Sequence, residues 1–161
     1  MKRRVRIIGC GNPDAGDDAI GLIIAEQLRA RLPPEVEVRS DTAGGASLIH
    51  WCEDVETLFI VDAALATDDF PAGCCRQFAY PADREQLKAT AFSGTHLLCI
   101  FPTLELAQTV NKLPNELLIF AVAGAHFGLG AGLSPAVEQA LAAVLNEVEK
   151  DVVWRLVPTG H

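Results

Sequence analysis

Short apolar runs alternate with longer amphipathic stretches along this chain, the pattern of strands alternating with helices. Val5 to Ile8 predicts a first strand. Ile20, Ile23, Ile24 and Leu28 then fall on one stripe of a helix from about Ala19 to Leu32, which Pro33-Pro34 ends. Val36 to Arg39 alternates as a second strand. Gly44-Gly45 opens a second helix through Leu48, Ile49 and Trp51, and Thr57 to Val61 reads as a buried central strand ending at Asp62. Cys74 to Tyr80, framed by Pro71, Gly73 and Pro81, predicts an edge strand able to run antiparallel. A third helix starts near Ser93-Gly94-Thr95 and takes in Leu97, Phe101 and Leu104. Pro102 lies inside it, and an interior proline costs about 3 kcal/mol, which predicts a kink or break near Leu98 to Pro102. Leu117 to Val122 is a last strand and Gly124 to Gly132 a glycine-rich loop. Pro135 starts a final helix through Val137, Leu141, Leu145 and Val148.

This order predicts an α/β fold: a mostly parallel sheet covered by helices on both faces, a three-layer αβα sandwich. The 161 residues fit a single domain spanning 1–161, and 50% hydrophobic with 21% charged residues suffices for a packed core. The net charge of -8, with no basic cluster beyond Lys2-Arg3-Arg4, argues against a nucleic-acid surface. Val5 to Ile8 is too short for a signal peptide and no stretch reaches membrane-spanning length, so no membrane role and a cytoplasmic location are expected. A self-contained domain of this size is expected to be a monomer. Cys10, Cys52, Cys74, Cys75 and Cys99 are odd in number and lack C-x-x-C spacing, which supports neither a disulfide framework nor a zinc knuckle. They read mostly as small buried apolar residues, with the adjacent Cys74-Cys75 pair a weaker candidate for soft-metal binding.

The chemistry concentrates in Gly9-Cys10-Gly11-Asn12-Pro13-Asp14-Ala15-Gly16-Asp17-Asp18-Ala19-Ile20-Gly21, between the first strand and the first helix. A loop there sits at the carboxyl end of a strand, where open α/β sheets place ligands. A dinucleotide fingerprint is excluded because Asp14 stands at the third glycine position, and a P-loop because the segment has no lysine. Asp17 and Asp18 would repel an anion and suit a cation; as a structural alternative, one of them caps the helix. Asp18 follows strand one, Asp62 ends strand three and His96 opens the third helix, so the three can meet in one cleft. Two carboxylates and an imidazole form a mixed oxygen and nitrogen site for a divalent transition metal such as Ni²⁺ or Zn²⁺. Taken singly, each has an ordinary structural explanation as a cap or a satisfied core residue.

The chain resembles the maturation endopeptidases of nickel-iron hydrogenases. The match lies in Gly11-Asn12-Pro13 with Gly16-Asp17-Asp18-Ala19-Ile20-Gly21, in Asp41-Thr42-Ala43-Gly44 and in Phe59-Ile60-Val61-Asp62-Ala63. It continues through His96-Leu97-Leu98 and Gly132-Leu133-Ser134-Pro135-Ala136-Val137-Glu138 and so covers nearly the whole chain. The resemblance implies a twisted sheet of about five strands between helices. It also implies an endopeptidase that removes a C-terminal extension from the hydrogenase large-subunit precursor once nickel is in place. Nickel, presented by the substrate, is then the recognition element, and its contacts, which are also the catalytic positions, carry over onto Asp18, Asp62 and His96.

Two departures from the family pattern stand out. Gly124-Ala125-His126-Phe127-Gly128 replaces a proline and an acidic residue, which makes His126 an additional candidate ligand beside its reading as a plain loop residue. Pro102 interrupts a helix that is commonly unbroken. Asp17 is open as an orienting residue or a base, and the Gly44 and Gly45 amides as an oxyanion site. Cys99, three residues from His96, can share its helix face. No serine nucleophile motif is present. Two other classes remain in view: a non-proteolytic nickel-binding accessory protein, and a flavodoxin-like nucleotide or flavin module, since architecture does not fix function.

Overall fold

The computed structural model describes residues 4–42, 47–91 and 97–158. Five strands form one sheet: β1 (Val5–Cys10), β2 (Glu37–Asp41), β3 (Thr57–Leu65), β4 (Cys75–Ala79) and β5 (Glu116–Gly124), in the order β2-β1-β3-β5-β4. All neighbours are parallel except β4, which runs antiparallel to β5 at the edge. The helices are α1 (Ile20–Arg31), α2 (Leu48–Trp51), α3 (Arg84–Ala91), α4 (Leu97–Thr109) and α5 (Pro135–Leu156). A single 3-10 turn, Gly16–Ala19, joins β1 to α1.

β3 and β5 are buried almost throughout, as central strands of a sheet covered on both faces must be. Alternation divides their side chains between two layers. Leu58, Ile60 and Ala64 of β3 join Ile8, Cys10, Trp51, Leu87, Phe101 and Leu104 under α2, α3 and α4. Phe59, Val61 and Ala63 join Ile7, Ile24, Leu28, Phe120, Val144 and Val148 under α1 and α5. Asp62 falls between Ile60 and Ala64 in the alternation and so belongs to the α2–α4 face.

Three sequence-based expectations need correction. α4 runs unbroken from Leu97 to Thr109 with Pro102 inside it. Pro102 is the sixth residue of the helix, so it removes only one of the earliest intrahelical bonds, while Ile100, Phe101 and Leu104 bury the segment in the core. α3 was not anticipated, because its eight residues are mostly polar and Leu87 is its main buried anchor. The second helix is a single turn; Gly44 and Gly45, expected to open it, lie outside the described residues. The antiparallel edge strand and the proline-led final helix stand where the pattern put them.

The loop after β1 is tightly packed. Gly11 has φ of 150°, a conformation side chains rarely adopt, and the Asp18 carbonyl occupies the place a Cβ would take. Gly21 lies in the first turn of α1 against the carbonyls of Val61 and Cys10. Only a residue without a side chain lets the helix start this close to the ends of β1 and β3. Among the described residues no helix is long and apolar enough to cross a membrane.

Candidate active site

Strand β1 connects to β2 on one side, while β3 pairs on its other side, so the strand order reverses between β1 and β3. Such a reversal opens a crevice at the carboxyl ends of the two strands. The register fills that crevice with acid. Cys10 is paired with Asp41 of β2, and Gly9 with Val61 of β3, which sets Asp62 level with Cys10 on its other side. Neighbouring parallel strands are about 4.8 Å apart, so Asp41, Cys10 and Asp62 form a short row across the edge.

Asp18 comes to the same place from the 3-10 turn. Asp62 is fully buried, Asp18 is 4% exposed and Asp41 is 6% exposed. Their convergence is felt by the Cys10 thiol. Burial, followed by the charges of Asp62, Asp41 and Asp18, raises it well above the usual thiol range, so Cys10 stays a neutral thiol in the floor of the crevice. One Asp62 carboxylate oxygen accepts from the Ala63 N–H at 2.8 Å, and an Asp18 oxygen accepts from the Asn12 N–H at 3.1 Å. Burial of several carboxylates in one crevice is costly for folding. Titratable groups gathered in a cleft where the strand order reverses mark a candidate functional site.

The adjacent Asp17 has a different job. Its carboxylate accepts the N–H groups of Ala125 (2.7 Å), His126 (3.0 Å) and Ser134 (2.7 Å) and the Ser134 hydroxyl (2.8 Å). Its own N–H donates to the His126 carbonyl at 2.7 Å. Asp17 thus ties the first loop to the β5–α5 loop and to the start of α5, whose preceding Ser134 gives its hydroxyl to this carboxylate. Neither Asp17 nor Asp18 caps the helix that follows them, since no side-chain cap bond is made there. Burial opposes the Asp17 charge, but the backbone donors and Ser134 overcome it and lower the pKa. A carboxylate so occupied is a poor base, so of its two readings the orienting one fits.

A pH dependence follows. A lowered Asp17 pKa contributes stability that is complete above the ordinary value of 3.8 and is lost as the pH falls below it. Denaturant titrations of wild type and Asp17→Asn between pH 6 and 2 are expected to converge at the acid end; parallel curves would contradict it.

His96, Gly44 and Gly45 lie outside the described residues, as does the side chain of Cys99. α4 leads through residues 110–115 to the start of β5, so its first turn, directly after His96, lies toward the carboxyl edge of the sheet. His126 is exposed, and its backbone is what the structure uses. Cys10 and Cys52 are buried free thiols, whereas Cys74 is exposed just ahead of β4. Among the described residues no three histidine, cysteine, aspartate or glutamate side chains form a group that could hold a metal ion. Sequence reasoning gave Asp41 no role. The strand-end rule that singled out Asp62 applies equally to Asp41, the last residue of β2.

Fold and crevice together define an α/β protein whose mostly parallel sheet, in the order β2-β1-β3-β5-β4, carries buried carboxylates where the strand order reverses. Carboxylates stand where a flavin or nucleotide module would receive phosphate, which sets that alternative aside. A family model described as HycI, hydrogenase maturation protease, matches residues 22–151, a span that includes Asp62 and His96 and begins just past Asp18. The chain belongs to the hydrogenase maturation protease family and is a peptidase. A putative hydrogenase maturation protease of Methanocaldococcus jannaschii is 25% identical over 159 residues, covering 92% of this chain and 99% of the relative. The Hydrogenase 2 maturation protease of Escherichia coli is 27% identical over 149 residues, covering 90% and 88%. The solved structure of the hydrogenase maturating endopeptidase HybD from E. coli shares the fold, with a TM-score of 0.79 at 24% identity over 94% of this chain and 93% of that one.

Proposed function

We propose that this chain is an endopeptidase that removes a C-terminal extension from the nickel-loaded large-subunit precursor of a nickel-iron hydrogenase, with the substrate's nickel as the recognition element. The observation that carries this reading is the convergence of Asp18 and Asp62 in the crevice between β1 and β3. Nickel arrives in the substrate, held by the precursor's own ligands. Asp18, Asp62 and His96 supply the remaining oxygen and nitrogen donors, a set suited to a divalent transition metal. Contact through these residues fixes the scissile peptide in the crevice, and such positioning accounts for a large part of a hydrolytic rate. The cation supplies positive charge beside the peptide carbonyl.

Asp17 works one layer back. By holding the β5–α5 loop against the first loop it fixes the turn that carries Asp18. The free thiols of Cys10, Cys52, Cys74 and Cys75 suit a reducing compartment, and we place the activity in the cytoplasm, with the chain acting as a monomer.

The test is the mass of the precursor after incubation with this protein, with and without inserted nickel. Loss of a C-terminal fragment from the nickel-loaded form alone is expected. Equal cleavage of both forms would remove nickel from the recognition step, and two intact precursors would contradict the proposal.

A further inference from the structure

Beyond Asp62, β3 continues through Ala63 and Ala64 to Leu65, then turns back through a bridge between Thr67 and Phe70. Beside that turn lies an open groove of about 490 Å³ that the site described above does not use, lined among others by Leu65, Thr67, Phe70, Arg76, Gln86 and Ala89. Phe70 and Phe78, which line it too, pack in the same layer as Ile60 and Ala64, so the groove lies on the sheet face to which Asp62 belongs. Leu65 is three residues past Asp62, about 10 Å along a strand. Leu65 thus brings one wall of the groove to the same end of β3 that carries Asp62.

Its chemistry suits an extended peptide. Leu65, 44% exposed, offers apolar contact, and Thr67, Gln86 and Asp69 offer hydrogen-bonding groups. Arg76 stacks its guanidinium 4.4 Å from the centre of the Phe70 ring and donates to the Asp69 carbonyl at 2.8 Å. Among the described residues it makes no ion pair, and a guanidinium has five N–H donors, so several remain for a carbonyl or carboxylate oxygen. A groove of this volume does not admit a folded surface. It does admit a few residues of extended chain at about 3.3–3.6 Å each.

We infer that this groove is the subsite for the residues just past the scissile bond, holding the start of the precursor's C-terminal extension in extended form, with Arg76 on its carbonyl or carboxylate oxygens and Leu65 against an apolar side chain. The inference rests on the endopeptidase reading above, in which the extension is the part of the substrate that leaves as a free peptide.

Two variants test it away from the acidic crevice. Arg76→Glu reverses the charge at an exposed position of β4, and Ala89→Trp fills the groove from the exposed face of α3. With nickel-loaded precursor, each is expected to raise KM about tenfold or more, which corresponds to about 1.4 kcal/mol, with kcat and thermal midpoint held close to wild type. A fluorescein-labelled synthetic peptide of the extension is expected to bind wild type and to bind both variants about tenfold more weakly by anisotropy. Wild-type KM and peptide affinity in both variants would overturn the subsite while leaving the endopeptidase standing; so would a peptide that fails to bind wild type. An uncut precursor with peptide binding that still depends on Arg76 would remove the endopeptidase reading and keep the groove as a peptide site.

Discussion

Asp62→Asn is expected to lower processing of the nickel-loaded precursor about 10²-fold or more while changing stability by no more than about 1–2 kcal/mol. The side chain is fully buried at the end of β3, level with Cys10 and in the same crevice as Asp18 and Asp41. Asn keeps the shape and an oxygen to accept the Ala63 N–H, so packing and that 2.8 Å bond survive. What disappears is the negative charge. For folding, an isosteric change at one buried position is expected to stay within about 1–2 kcal/mol. For the reaction, loss of an anionic contact to the substrate's cation loosens the scissile peptide, and small misplacements cost about 10²-fold. Processing rates followed by mass, alongside urea unfolding, separate the two effects. A variant that unfolds but cleaves normally when folded would make Asp62 a structural residue.

Asp17→Ala is expected to do the opposite, destabilising the protein by about 3–5 kcal/mol. The substitution strips the partner from three backbone N–H groups and one hydroxyl at once. Each buried donor left unsatisfied costs about 1–3 kcal/mol, reduced where water reaches Ala125 and His126. Against a typical total of about 5–15 kcal/mol this is a large fraction. Asp18→Ala, which leaves these four bonds in place, serves as the comparison. Urea midpoints of the two variants decide the matter; a loss below about 1 kcal/mol for Asp17→Ala would mean that the knot between the two loops is dispensable.

These neighbouring aspartates show where the letters of the sequence stop being informative. The strand, acidic loop and helix could be read from Val5 to Leu32, because hydrophobic period reports burial of a face directly. The same reasoning placed Asp18 and Asp62 at strand ends, and the sheet order then puts those ends at one crevice. It set Asp18 with Asp62 and left Asp17 open between an orienting residue and a base. The partners of Asp17 are more than a hundred positions away, at Ala125, His126 and Ser134, and no local pattern announces them.

Pro102 shows the same limit from the other side. Local propensity predicts a break, but burial of Ile100, Phe101 and Leu104 on both sides of it outweighs the single backbone bond that proline removes. α3 went unread because one buried leucine in eight residues gives no periodic stripe. Asp41 lay in a segment that the family resemblance already marked. Its place became legible only through the parallel register that sets it opposite Cys10.

The central claim is that Asp18 and Asp62 reach the nickel that the substrate carries. X-ray absorption at the nickel edge, recorded on the loaded precursor alone and on its complex with this protein frozen before cleavage, tests it most directly. Added oxygen or nitrogen donors in the complex, reduced when Asp62→Ala or Asp18→Ala replaces wild type, are the predicted result. A nickel environment unchanged by a complex that goes on to cleave its substrate would contradict the claim.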